Sequence, residues 1–146
     1  MPVASEGVLI ARVAVGVGLS FAVGFEREVR GASAGDRTFS VVGISAAAVA
    51  AAVVTVAPNA IAGVLTGVGF IGAGLVFRAG EGTVRGVTTA SAIFACTAIG
   101  VVAGTGHLLL AVFVAAVVLL LLELPYVPVL NRLDGSRYRR PPKDDT

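Results

Sequence analysis

Residues 66–74 read Thr66-Gly67-Val68-Gly69-Phe70-Ile71-Gly72-Ala73-Gly74, and they admit two incompatible folds. From Gly67 to Gly72 the spacing is G-x-G-x-x-G, that of a dinucleotide-binding turn. Such a turn must follow a strand, open a helix and be answered by an acid about 20 residues later. Here the stretch lies inside an apolar run from Ala60 to Phe77. The next acid, Glu81, comes too early, and no other follows before Glu123. The alternative is a membrane helix, in which small residues let neighbouring backbones approach closely.

The whole chain favours lipid. Of its 146 residues 56% are hydrophobic and only 14% charged, with 19 glycines and a mean hydropathy of +0.93. A soluble domain carries about 25% charged residues, so this chain could not cover its own surface in water. Continuous apolar runs, rather than alternating ones, predict helices, and only helices or closed barrels satisfy backbone polar groups in hydrocarbon. The expected fold is all-α: five transmembrane helices over about 7–25, 39–57, 60–77, 87–103 and 107–124. Residues 1–125 would form the membrane domain and 126–146 a basic tail, polar and proline-bearing, with the composition of a disordered segment. The N-terminal residues lack the basic start of a cleaved signal.

Charge placement supports an odd number of crossings. Ten of the eleven basic residues fall in the 26–37 connection, the 78–86 connection and the tail, all on one face if five helices alternate. The positive-inside rule then places the N-terminus outside and the C-terminus in the cytoplasm. Arg12, within the first apolar run, lies close enough to the outer boundary to snorkel, with Glu6 as a possible partner. A contact in a protein complex is the alternative.

Helix packing is expected through Gly63, Gly67, Gly69, Gly72 and Gly74, which would make the third helix the hub of the bundle. Replacing Gly69 or Gly72 by Leu should then prevent stable assembly. The first helix offers a second small stripe, Ala14, Gly18 and Ala22. A break of the third helix at its glycines, exposing carbonyls to an ion, is a further reading.

Chemistry-bearing residues collect at the basic face: Glu26, Arg27, Glu28, Arg37, Thr38, Arg85, Thr88 and Thr89. The second and fourth helices begin beside Arg37 and Arg85, and helix N-termini favour anions. Two such ends could hold an anion or a lipid headgroup. The plainer alternative is that Glu26 and Glu28 neutralise these arginines. No carboxylate lies within the apolar interior, which argues against a carboxylate-lined cation path. One cysteine, Cys96, and one histidine, His107, provide no metal or nucleophile pairing, so neither an enzyme, a cofactor site nor a metal site is expected. The net charge of +2 makes no case for nucleic acid.

Several motifs together resemble the MgtC/SapB membrane family. Gly24-Phe25-Glu26-Arg27-Glu28 is similar to its G-L-E-R-E segment, and Gly35-Asp36-Arg37-Thr38 to its G-x-R-T. Residues 66–74 resemble S-G-I-G-F-L-G-A-G, and Val84-Arg85-Gly86-Val87-Thr88-Thr89-Ala90 resembles V-R-G-L-T-T-A. They run in family order over about residues 12–123. Asn59 and Gly63 stand where the family commonly has Arg and Gln, and Asp36 where an apolar residue is common. The resemblance implies a bacterial inner-membrane protein concerned with magnesium limitation or acid stress. It further implies action by restraining other membrane machinery, the proton-driven ATP synthase included, in a short form without the soluble C-terminal domain of longer members. A small Mg²⁺ or other ion channel or transporter is the alternative. The expected partners are the lipid bilayer, other membrane proteins and, as an open question, further copies of the chain.

Overall fold

A computed structural model describes residues 4–77 and 85–126. It contains five helices: α1 (Glu6–Val29), α2 (Asp36–Val53), α3 (Asn59–Phe77), α4 (Val87–Gly104) and α5 (Leu108–Glu123). No strand occurs among the described residues. The first four helices are long and apolar enough to cross a membrane. The 16 residues of α5 span about 24 Å at ~1.5 Å per residue, less than a full hydrocarbon core of about 30 Å. The chain is a membrane protein. Residues 66–74 lie within the continuous α3, so the nucleotide turn and the broken helix are both excluded.

The helices alternate in direction. Gly24 meets Asp36 and Phe39 while Gly16 meets Ala47, which makes α1 and α2 antiparallel. Gly100 and Gly104 climb alongside Ala46 and Ala50, which makes α4 parallel to α2. Gly72 faces Ala90, which returns α3 against α4. Glu6 and Glu123 therefore lie at opposite ends of the bundle. We call the end holding the first charged connection the basic end.

Two helix ends show how the sequence stops them. After α1, the Gly31 N–H donates to the Glu28 carbonyl (3.0 Å) and the Ala32 N–H to that of Arg27 (2.9 Å). After α4, the Gly106 N–H donates to Ala103 (2.9 Å) and the His107 N–H to Val102 (3.1 Å). Both are Schellman closures, and each turns on a glycine with positive φ, Gly31 at 69° and Gly106 at 96°, a conformation with little cost for glycine alone. As a result α1 continues past the apolar run ending at Phe25, and Glu26, Arg27 and Glu28 stand on its last turn.

The hub is α4, which touches all four other helices and buries Ile93, Cys96, Ile99 and Ala103 completely. This corrects the expectation for α3, which packs on α4 and more lightly on α2. A Cβ at Gly63, Gly67, Gly69 or Gly74 would meet nothing within 4 Å, and one at Gly72 would make an ordinary 3.6 Å contact with Ala90. Among the described residues, the α3 glycines are therefore not what holds the bundle together. The close approaches use other residues. On α1 they are Gly16, Ser20 and Gly24, not Ala14 and Gly18, which instead line a lateral apolar recess of ≈650 Å³ between α1 and α2. A Cβ at Gly16 would stand 2.9 Å from that of Ala47, and one at Gly24 2.7 Å from Phe39 Cβ. Gly43 of α2 receives the side chain of Ser20. A Cβ at Gly100 would stand 2.6 Å from the Gly43 carbonyl oxygen. Lipid tails are as apolar as leucine, so closeness of packing, rather than burial from water, decides which helix faces adhere.

Arg12 also departs from expectation. No ion pair among the described residues joins it to Glu6. Its guanidinium lies over Gly106 in the α4–α5 turn, where a Cβ would meet Cζ at 2.8 Å. The cation thus sits at the negative end of the α4 dipole.

Candidate functional site

The last turn of α1 carries three charged side chains in different settings. Glu26 and Arg27 are each 8% exposed. Arg27 Nε lies 3.6 Å from Glu26 Oε2, and Arg30 Nε lies 3.8 Å from Glu26 Oε1. These are charge pairings beyond hydrogen-bond length, and among the described residues neither Glu26 oxygen nor Arg27 Nε finds a hydrogen-bonding partner. Glu28 points the other way, to a polar recess of ≈390 Å³ formed with Ser33, Gly35, Asp36, Arg37 and Thr38 at the start of α2. Its carboxylate lies against Gly35, where the positive end of the α2 dipole favours an anion. The Arg37 N–H donates to Asp36 Oδ1 at 2.6 Å.

The remaining expected residues are more scattered. Arg37, Thr38, Arg85 and Thr88 are exposed, and Thr89 is buried. Among the described residues no ion pair links Arg37 or Arg85 to Glu26 or Glu28. The neutralising network exists, but around different arginines. Arg30 is its centre: Nη2 donates to Glu123 Oε2 at 2.5 Å, and Cζ stands 3.9 Å above the ring of Tyr126. Sequence spacing could have found the Glu26–Arg30 pair, which is i,i+4. The pairing with Glu123, 93 residues away, had no local signal.

No three His, Cys, Asp or Glu side chains converge among the described residues. Cys96 is free and buried. His107 is exposed as the residue before α5, paired with the Thr105 hydroxyl at 3.1 Å. The tail's basic residues lie outside the described residues.

The second candidate surface is the outer face of α3. Gly63, Gly67 and Gly74, at spacings of four and seven, share one side of the helix. Val68, Gly72 and Leu75 occupy the opposite side, toward α4. Phe70, 83% exposed, flanks the outward glycines.

The profile of the MgtC family matches residues 13–127. Protein MgtC of Brucella abortus (strain 2308) is 34% identical over 123 residues, covering 81% of this chain and 51% of the relative. "Putative magnesium transporter YhiD" of Escherichia coli (strain K12) is 36% identical over 128 residues, covering 79% and 57%. Protein MgtC of Salmonella typhimurium (strain LT2) is 36% identical over 89 residues, covering 58% and 38%. The chain thus spans about half the length of the first two relatives. No solved structure matches it. With the family profile covering most of the helical bundle and the charged turn at its basic end, the chain belongs to the MgtC family.

Proposed function

We propose that this chain is a non-enzymatic regulatory membrane protein that acts by docking on transmembrane helices of other membrane proteins during adaptation to magnesium limitation or acid stress. The observation that carries this reading is the outward face of α3, where Gly63, Gly67 and Gly74 meet nothing within 4 Å. Each glycine costs a helix roughly 0.5–1 kcal/mol relative to alanine, a cost with no compensating contact among the described residues. A partner helix with its own small residues would supply that contact through close backbone approach. The charge asymmetry supports a basic end in the cytoplasm and an N-terminus outside, and the bacterial relatives support the inner membrane. By family resemblance the proton-driven ATP synthase is one such partner.

The name of the Escherichia coli relative favours a second reading, a small Mg²⁺ channel or transporter. One pair of experiments separates the two. A photo-crosslinker at Phe70, in native membranes, is expected to capture a membrane protein, and Gly67→Leu is expected to abolish that capture while leaving the fold intact. Mg²⁺ flux into proteoliposomes holding the purified chain, with crosslinking indifferent to Gly67→Leu, would reverse the assignment.

A further inference from the structure

We infer that Arg30 is an electrostatic latch that holds the basic-end half of α5 against the bundle, and that α5 pivots outward about its opposite end when the latch opens. The two halves of α5 are held differently. Its two fully packed residues, Ala111 and Ala115, lie toward the α4–α5 turn. Toward the basic end, Val118 and Leu122 are only half-buried. They border a cavity of ≈190 Å³ shared with Thr88, Ser91 and Ala95 of α4. In a bilayer an apolar helix gains nothing by leaving lipid for an apolar neighbour. Only close packing or polar contact holds it, and this half has the first only in part: Val118, Leu119 and Leu122 touch the core without being fully buried.

Polar contact is concentrated at its tip. Arg30 donates to Glu123 at 2.5 Å, lies 3.8 Å from Glu26 and covers the Tyr126 ring at 3.9 Å. One side chain from the end of α1 therefore engages the last residue of α5 and the chain just beyond it. Glu26 and Arg27, buried side by side on α1, fix the electrostatic setting from beneath. Arg30 and Glu123 are each about one-third exposed, within reach of dissolved ions. Raising salt from about 0.01 M to about 1 M shortens the screening length from about 30 Å to about 3 Å, which makes ionic strength a direct handle on the latch.

The test uses the full chain in lipid nanodiscs on a Cys96→Ser background, with spin-label pairs at exposed positions. A basic-end pair at Val87 and Leu120 reports the latched half, and a pair at Ile10 and Leu109 reports the pivot end. With Arg30→Gln or Glu123→Gln, the basic-end distance distribution is expected to broaden and shift to longer distance while the pivot-end distribution stays fixed. Arg30→Lys should shift it less. Unsubstituted Arg30 and Glu123 in high salt should reproduce the same shift, which keeps the test valid if a variant fails to fold. An unchanged basic-end distribution in high salt, or equal broadening at both ends, would overturn the latch.

Discussion

Replacing Gly100 by alanine tests which glycines hold the bundle. Its Cβ would stand 2.6 Å from the Gly43 carbonyl oxygen, 3.0 Å from Ala46 Cβ and 3.2 Å from the Ala47 nitrogen. Carbon–oxygen contacts across helix interfaces settle at about 3.3–3.6 Å, so α4 and α2 must separate by roughly 0.7 Å. Two of the three obstacles are backbone atoms, which cannot rotate aside. Overpacking of this kind costs about 1–3 kcal/mol, and the backbone obstacles place Gly100→Ala in the upper part of that range. Alanine returns up to about 1 kcal/mol through helix propensity. The net expectation is destabilisation by about 1–2 kcal/mol. Gly67→Ala gains the same propensity and meets nothing within 4 Å, so it should be neutral or stabilising. Because propensity is common to both, their difference isolates the steric cost at about 2–3 kcal/mol. Reversible denaturant unfolding in mixed micelles, followed by helical circular dichroism, measures it. Variants agreeing within about 0.5 kcal/mol, the scatter of uninvolved surface substitutions, would refute the assignment of α4 as hub.

Three further outcomes follow from named contacts. Arg12→Gln should lower stability by about 0.3–1 kcal/mol through loss of a cation at the α4 C-terminus, and Glu6→Gln by a similar amount through loss of an acid from the first turn of α1. With no ion pair among the described residues joining the two, their effects should add in the double variant, read as thermal midpoints in detergent. Gly106→Ala combines a φ of 96° with a collision against the Arg12 guanidinium. It should cost at least about 1–3 kcal/mol, visible as a lower unfolding midpoint. Glu26→Gln leaves Arg27, 8% exposed, without its nearest carboxylate. Removing one partner of a largely buried charge pair is expected to cost up to about 3 kcal/mol, the low end for fully buried pairs. Glu28→Gln, at an exposed residue, should lose only the about 0.3–1 kcal/mol of a carboxylate at a helix N-terminus, and denaturant titration compares the two.

Much of the architecture was legible in the residues themselves. Apolar runs interrupted by Pro58, by Gly106 and by charged connections specify helices and their order, because hydrocarbon admits no exposed backbone. Basic residues collected in alternate connections specify the alternation that the glycine contacts display. Glu26 and Arg27 belonged to the charged turn on sequence grounds, and both sit in it, although the helix carrying them runs farther than the apolar stretch.

The inward faces were another matter. In water, a stripe of apolar residues marks the side of a helix that turns from solvent. In lipid both sides are apolar, so hydropathy loses that directional information. Small-residue spacing then says only that a backbone can be approached closely, not by which neighbour. Residues 66–74 carry the densest glycine pattern in the chain, yet they turn most of those glycines outward, while Gly16, Gly24, Gly43, Gly100 and Gly104 make the close crossings. That choice, and the meeting of Arg30 with Glu123 across 93 residues, depend on how five helices nest together. Sequence alone determined the solvent, the helices and their order; tertiary packing decided which faces meet, because in a bilayer atomic fit and a few polar contacts, rather than hydropathy, distinguish them.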